Sequence, residues 1–145
     1  MIARIKAVLP LLALTLTLLP MRASAAPWVI TRVPVGNDPQ GIAVMGTRVF
    51  VANALDNTVS VWDEQAAAVV ATVRVGRKPS GIAADAETGR VYVANIADAS
   101  VSVIDGASSP RVLQTIKLRM EKPAAVAVDS YLRRVYVAHP TKNAV

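Results

Sequence analysis

One five-residue phrase recurs three times and governs what this chain can fold into. It reads Val49-Phe50-Val51-Ala52-Asn53, Val91-Tyr92-Val93-Ala94-Asn95 and Val135-Tyr136-Val137-Ala138-His139. The copies begin at residues 49, 91 and 135, so they lie 42 and 44 residues apart. Recurrence at such a period marks stacked supersecondary units, each burying its apolar faces against its neighbours.

Within a period, short β-branched runs alternate with turn residues. Gly41-Ile42-Ala43-Val44 is followed by Gly46-Thr47, then Arg48 to Ala52, a polar loop at Asn53 to Asn57, Thr58 to Asp63, and Val69 to Val75 before Gly76. Four such runs with this punctuation predict a four-stranded antiparallel meander. The second copy repeats the order from Gly81 to Leu118, and the third runs from Pro123 to Val145. Val91-Tyr92-Val93-Ala94 is apolar on both alternating sets, as in a strand covered on both faces. In the fourth run Ala71, Val73 and Val75 alternate with Thr72 and Arg74, and Ile116 and Leu118 alternate with Thr115 and Lys117, which predicts an outermost strand with one wet face. Four strands per period of about 40–45 residues is the signature of propeller blades. The expected fold class is therefore all-β, an incomplete β-propeller of about two and a half blades. Helix is expected only in the N-terminal segment, and Trp62, in the place of Ile104, reads as a core or blade-interface residue.

Residues 1–25 read as a signal peptide. Arg4 and Lys6 precede an apolar run from Ala7 to Leu19, and Ala23-Ser24-Ala25 is a small-residue cleavage site, with the cut expected after Ala25. The run is shorter than the about 17–25 residues of a spanning helix. The sequence contains no cysteine, so a lipid-anchored cysteine, thiolate metal sites and disulfides are excluded. Removing Arg4, Lys6 and Arg22 lowers the formal charge from +6 to +3 over residues 26–145, with the basic residues scattered among acids. That balance gives no strong nucleic-acid signal. The expected location is periplasmic or secreted, with no transmembrane segment after cleavage.

The organisation expected for residues 26–145 is an outer latch strand over 26–36, blades over 37–76 and 77–118, and a partial blade over 119–145. The latch rests on the match between Val29 to Gly36 and Val69 to Gly76, and Pro34, lacking an N–H, suits an edge strand.

At these residues the chain resembles the YVTN-type β-propeller repeat family. The family phrase corresponds to Phe50-Val51-Ala52-Asn53, Tyr92-Val93-Ala94-Asn95 and Tyr136-Val137-Ala138-His139. The Pro-x-Gly-Ile-Ala opening corresponds to Pro39 to Ala43 and Pro79 to Ala83, and Asn57 to Asp63 carries the Asn-Thr-Val-Ser-Val-x-Asp element. The third copy departs, with Ala125 in place of Gly41 and Gly81, and His139-Pro140 in place of Asn53-Ala54. The resemblance implies an exported bacterial propeller of about seven blades, of which this sequence looks like the N-terminal portion. It implies either a binding or scaffold module, or a propeller enzyme of the lactonase or quinone- or haem-linked oxidoreductase kind.

Strand direction puts the inter-blade links and the loops between second and third strands on one edge. The candidate binding-face residues there are Asn53, Asp56, Arg77, Lys78, Asn95, Asp98 and His139. Asn and Asp also bond their own backbone in tight turns, so most of this set reads equally as turn chemistry. His139, the single histidine, has no metal-ligand spacing around it. Asp63, Asp105 and Asp129 follow strand ends and read as repeated caps. No catalytic residue and no metal site is assigned, and the cofactor is unknown. The partner is read as a protein, an envelope component or a small ligand, with open blade faces needing further blades or self-association.

Overall fold

The computed structural model describes residues 32–119, 122–140 and 143–145. The signal segment, the latch residues 26–31 and Trp28 lie outside the described residues. Residues 32–36 of the expected latch carry no strand.

Three antiparallel sheets follow one another along the chain. The first contains β1 (Pro39–Met45), β2 (Arg48–Asn53), β3 (Thr58–Asp63) and β4 (Ala68–Arg74), paired in sequence order. The second contains β5 (Pro79–Asp85), β6 (Arg90–Asn95), β7 (Ser100–Asp105) and β8 (Arg111–Lys117), again in order. The third pairs β9 (Ala125–Asp129) with β10 (Arg134–Ala138). These are two four-stranded blades and a two-stranded third sheet of an all-β, partial β-propeller. One departure from expectation is a short 3-10 turn, Ile96–Asp98, in the loop between β6 and β7. Its three residues carry no pattern that distinguishes it from a plain turn.

The seam between the first two blades is the core. Phe50, Ala52, Val59, Val61 and Val73 of blade one meet Val91, Val93 and Ile104 of blade two, all buried. Neighbouring positions within a strand point to opposite faces. Hence Phe50 and Ala52 face blade two, while Val91 and Val93, one position out of phase with them, face back to blade one. Fully burying side chains of this size stabilises by about 1.5–3 kcal/mol each, so this seam outweighs the loop contacts. β6 is buried on both faces, as its composition requires.

Each blade has a β-bulge at the same place. The register slips between Val61 and Trp62 against β4 and between Val103 and Ile104 against β8, leaving Val70 and Leu113 as the extra residues. An extra residue is unpaired in the ladder, and both are turned outward and exposed. The outer-strand expectation holds for Val73, which is buried, but Ile116 is exposed. Ile116 lies opposite Val101, on the side of blade two where β9 and β10 do not reach it. Trp62 is half-buried whereas Ile104 is fully buried, because Ile104 lies in the seam and Trp62 is on the face of blade one turned away from blade two. On that same side Ile42 and Val44 are 67% and 65% exposed.

Glycine sets the closeness of the seams. A Cβ at Gly41 would run into the carbonyl oxygen of Ser80, and one at Gly81 would lie 2.5 Å from Ala125 Cα and 2.7 Å from Ala124 O. Both positions therefore need a residue without a side chain for the first strands to approach.

Candidate functional site

The edge that carries the inter-blade links is built twice by the same rule. The link before each blade lies across the loop between that blade's second and third strands. In blade one the backbone N–H of Asn37 donates to Asp56 Oδ2 at 2.7 Å and its side-chain amide donates to Oδ1 at 2.9 Å. In blade two the backbone N–H of Arg77 donates to Asp98 Oδ2 at 2.8 Å and its Nε to Oδ1 at 2.6 Å. Backbone bonds reinforce both, from Ala54 N to Asp38 O at 2.9 Å and from Ile96 N to Lys78 O at 3.0 Å. The Asn37 backbone N–H, then its side-chain amide, hold the Asp56 carboxyl below the usual carboxylate range. The Arg77 guanidinium and backbone N–H do the same for Asp98. Charged acceptors of this kind make the shorter, stronger bonds. The Arg77–Asp98 pair itself is solvent-exposed on the arginine side, so its contribution to stability is small.

Asn57 joins one blade to the next. Its backbone is left-handed, with φ of 58°, a conformation that Asn tolerates better than most residues. There its Oδ1 accepts a bond from Lys78 N at 2.9 Å. Lys78 is itself left-handed, φ 53°, and its side chain is exposed.

Asn53 and Asn95 end their strands fully buried. Asn53 Nδ2 donates to Thr58 Oγ1 at 3.1 Å and Ser60 Oγ at 2.9 Å; Asn95 Nδ2 donates to Ser100 Oγ at 3.1 Å and Ser102 Oγ at 3.0 Å. Each amide also abuts the glycine of its link, Gly36 or Gly76, so closely that a Cβ there would be about 2.7 Å from the amide nitrogen. His139 occupies the same repeat position, buried at 8% exposure, with its backbone N–H bonded to Ala144 O at 2.8 Å. Of the seven sequence-nominated residues, then, Asn53, Asn95 and His139 are buried beneath the edge. Asp56 and Asp98 brace it, and Arg77 and Lys78 reach solvent. Leu55, 72% exposed beside Asp56, was not nominated; an apolar residue inside a polar loop was the available signal.

The carboxylates Asp63 and Asp105 are caps, as expected. Asp63 Oδ1 accepts from Gln65 N at 2.9 Å and Ala66 N at 3.2 Å, and Asp105 Oδ1 accepts from Ala107 N at 3.2 Å and Ser108 N at 3.3 Å. The expected equivalence of Asp129 with these two is corrected. Asp129 ends the first strand of its sheet and is the counterpart of Asp85, not of Asp63. It caps the following turn through Leu132 N at 2.9 Å.

Sequence reasoning missed Asp85. It is buried, accepts from Thr88 Oγ1 at 2.6 Å within its own turn, and accepts from Ser130 Oγ at 2.6 Å across the seam to the third sheet. Among the described residues no group of three or more His, Cys, Asp or Glu side chains is placed to hold a metal ion. No helix among them is long and apolar enough to cross a membrane.

No family model matches the sequence, and no curated protein matches it. Solved structures do. The chain is similar to Kuenenia stuttgartiensis hydrazine synthase, at 24% identity and TM-score 0.62, over 79% of this chain and 33% of that one. It is similar to a functionally unknown protein from Desulfotomaculum acetoxidans, at 20% identity and TM-score 0.66, over 76% of this chain and 38% of the other. A Lactobacillus plantarum protein is similar at 16% identity and TM-score 0.62, over 74% of this chain and 36% of that one. The chain thus spans between 33% and 38% of the length of these three structures. At these identities the likeness is one of fold alone, and it agrees with the blades described above: the chain is an arc of a β-propeller.

Proposed function

We propose that this chain is an exported, non-catalytic β-propeller module that binds or scaffolds a component of the cell envelope. It belongs to the YVTN type by the motifs of its three copies. Residues 1–25 direct its export. The observation that carries the binding reading is the state of the link edge. Its carboxylates Asp56 and Asp98 and the side-chain amides of Asn37 and Asn57 are engaged in bracing one loop against the next. What this edge offers outward is a rigid platform with Lys78 and Leu55 exposed, suited to contact rather than to proton transfer. Binding residues carried on loops held by a rigid scaffold are a common arrangement. The alternative, a propeller enzyme or redox module, draws on the similarity to hydrazine synthase; it requires reacting groups from blades other than those described.

The test is expression in a Gram-negative host. The protein recovered from the periplasm begins at Ala26 by mass spectrometry and co-sediments with purified envelope material. A Leu55→Asp/Lys78→Glu variant is processed identically but stays in the supernatant. Retention of Met1, or equal sedimentation of the two proteins, would overturn the reading.

A further inference from the structure

The opposite edge of the blades, which carries the turns between first and second strands, differs sharply from one seam to the next. At the first seam Arg48, which opens β2, is fully engaged. It pairs with Asp63 at 3.5 Å, and its Nη1 donates to Gly106 O and Ala107 O of blade two, both at 2.9 Å. Its counterparts Arg90 and Arg134 open β6 and β10. At the second seam Arg90, Arg133 and Arg134 line one cleft of about 340 Å³, with Tyr92 on one wall and Val128 among its apolar lining.

None of these three guanidiniums has an ion pair or side-chain hydrogen bond among the described residues. Each nearby carboxylate is engaged elsewhere. Asp105, paired in register with Arg90, is bonded to Ala107 N and Ser108 N and lies 3.5 Å from Arg111. Asp129, in register with Arg134, caps the turn at Leu132. Asp85 lines the cleft, but Ser130 and Glu87 occupy its Oδ1 and Thr88 its Oδ2. The cleft therefore carries three positive groups against one carboxylate whose two oxygens already accept hydrogen bonds. The backbone adds a further sign. Arg133 has φ of 52° where blade two has Gly89 at φ 68°. A bulky side chain thus holds a conformation that glycine adopts freely, which fixes where the Arg133 side chain leaves the turn.

We propose that this cleft binds a phosphate monoester. Guanidiniums offer planar forks that match phosphate oxygens two at a time, and three forks suit a dianion with three terminal oxygens better than a single carboxylate, which one fork satisfies. The volume lies within the range of small-ligand sites, about 300–1,000 Å³. The Tyr92 phenol and Val128 give the ester's organic part a surface to lie on. The site is independent of the link edge and of the partner proposed there.

Equilibrium dialysis of the processed protein against radiolabelled inorganic phosphate at fixed ionic strength tests this. Binding saturates. Arg133→Ala/Arg134→Ala weakens it about tenfold or more, as loss of hydrogen bonds to a charged group requires. Arg133→Lys/Arg134→Lys, which keeps the charge and the fold but loses the forks, also weakens it, and Arg74→Ala on β4 leaves it unchanged. Flotation with phosphatidic acid vesicles, against phosphatidylcholine alone, separates the sources. Retention on the former assigns a lipid-borne phosphate, and no retention beside saturable phosphate binding assigns a soluble ester. Non-saturable phosphate uptake, or equal binding by the wild type and the Ala/Ala variant, overturns the proposal.

Discussion

The hydroxyl of Ser130 donates a 2.6 Å hydrogen bond to the buried carboxylate of Asp85, joining residues 45 positions apart across the seam between blade two and the third sheet. β9 and β10 have no outer strands paired to them among the described residues, so this bond carries more of their docking than it would in a four-stranded blade. Ser130→Ala is expected to cost about 1.5–3 kcal/mol, the worth of one hydrogen bond to a charged group, since Asp85 Oδ1 keeps its bond from Glu87 N. The loss is local. Hydrogen exchange should accelerate in residues 125–138 and remain unchanged in β2 and β3.

The same contact makes stability pH-dependent in a definite direction. The hydroxyls of Ser130 and then Thr88 hold the Asp85 carboxyl below its ordinary value of 3.8. A carboxyl with a lowered folded pKa binds its proton more readily in the unfolded chain. Its contribution is fully present above 3.8 and is lost as pH falls from there through the folded value. Asp85→Asn removes this dependence, so its denaturation midpoint falls less between pH 5 and acid than that of the wild type. Equal slopes for the two proteins would contradict the assignment.

Gly81→Ala is expected to destabilise by about 1–3 kcal/mol, because the methyl group meets backbone that cannot step aside. Gly46→Ala is a useful contrast. Nothing lies within 4 Å of its Cβ, but its φ is +60°, so its cost is conformational, about 1–2 kcal/mol. Urea titrations distinguish the two causes. Gly46→Asn recovers part of the loss, since Asn tolerates that backbone, whereas Gly81→Asn is worse than Gly81→Ala.

Ala99 stands at the left-handed position that Asn57 and Asn143 occupy in the other copies, with φ 46° and ψ 53°. Ala99→Asn is expected to stabilise by about 1 kcal/mol by relieving this strain. Thermal unfolding should show a raised midpoint, and an unchanged or lowered one would refute the argument.

Much of this architecture is legible in the sequence because its signals are local. Val91 to Ala94 announces a doubly buried strand, and Gly46-Thr47 announces the turn before β2. What escapes reading depends on non-local geometry or on ambiguous composition. The bulge at Val70 is hidden because Val69 and Ala71 on either side of it are also apolar, so a one-residue slip leaves the pattern apolar, and at Leu113 the adjoining pair Val112-Leu113 does not show which of the two is extra. Asn53 and Asn95 look like loop residues, and only the cross-strand register that brings Ser60 and Ser102 beneath them shows that they are buried. Asp85 meets Ser130 across 45 residues, and Arg90 shares a cleft with Arg133 and Arg134 across a seam. Asp129 reads as an equivalent of Asp63 and Asp105 because all three end strands, and only pairing shows which strand each one ends.

The substitution of Ala125 for the glycine of the earlier copies has a consequence for how such a chain counts its own units. Gly41 and Gly81 each permit a neighbour to close to backbone contact. Ala125, on the corresponding outward side of β9, brings a methyl group where those two have none, so a further unit stacked upon it must stand off or turn. The repeats are therefore not exchangeable parts. A duplicated or shuffled copy would meet a neighbour cut to a different fit, and the order of the units is written into the seams rather than left to the connecting links.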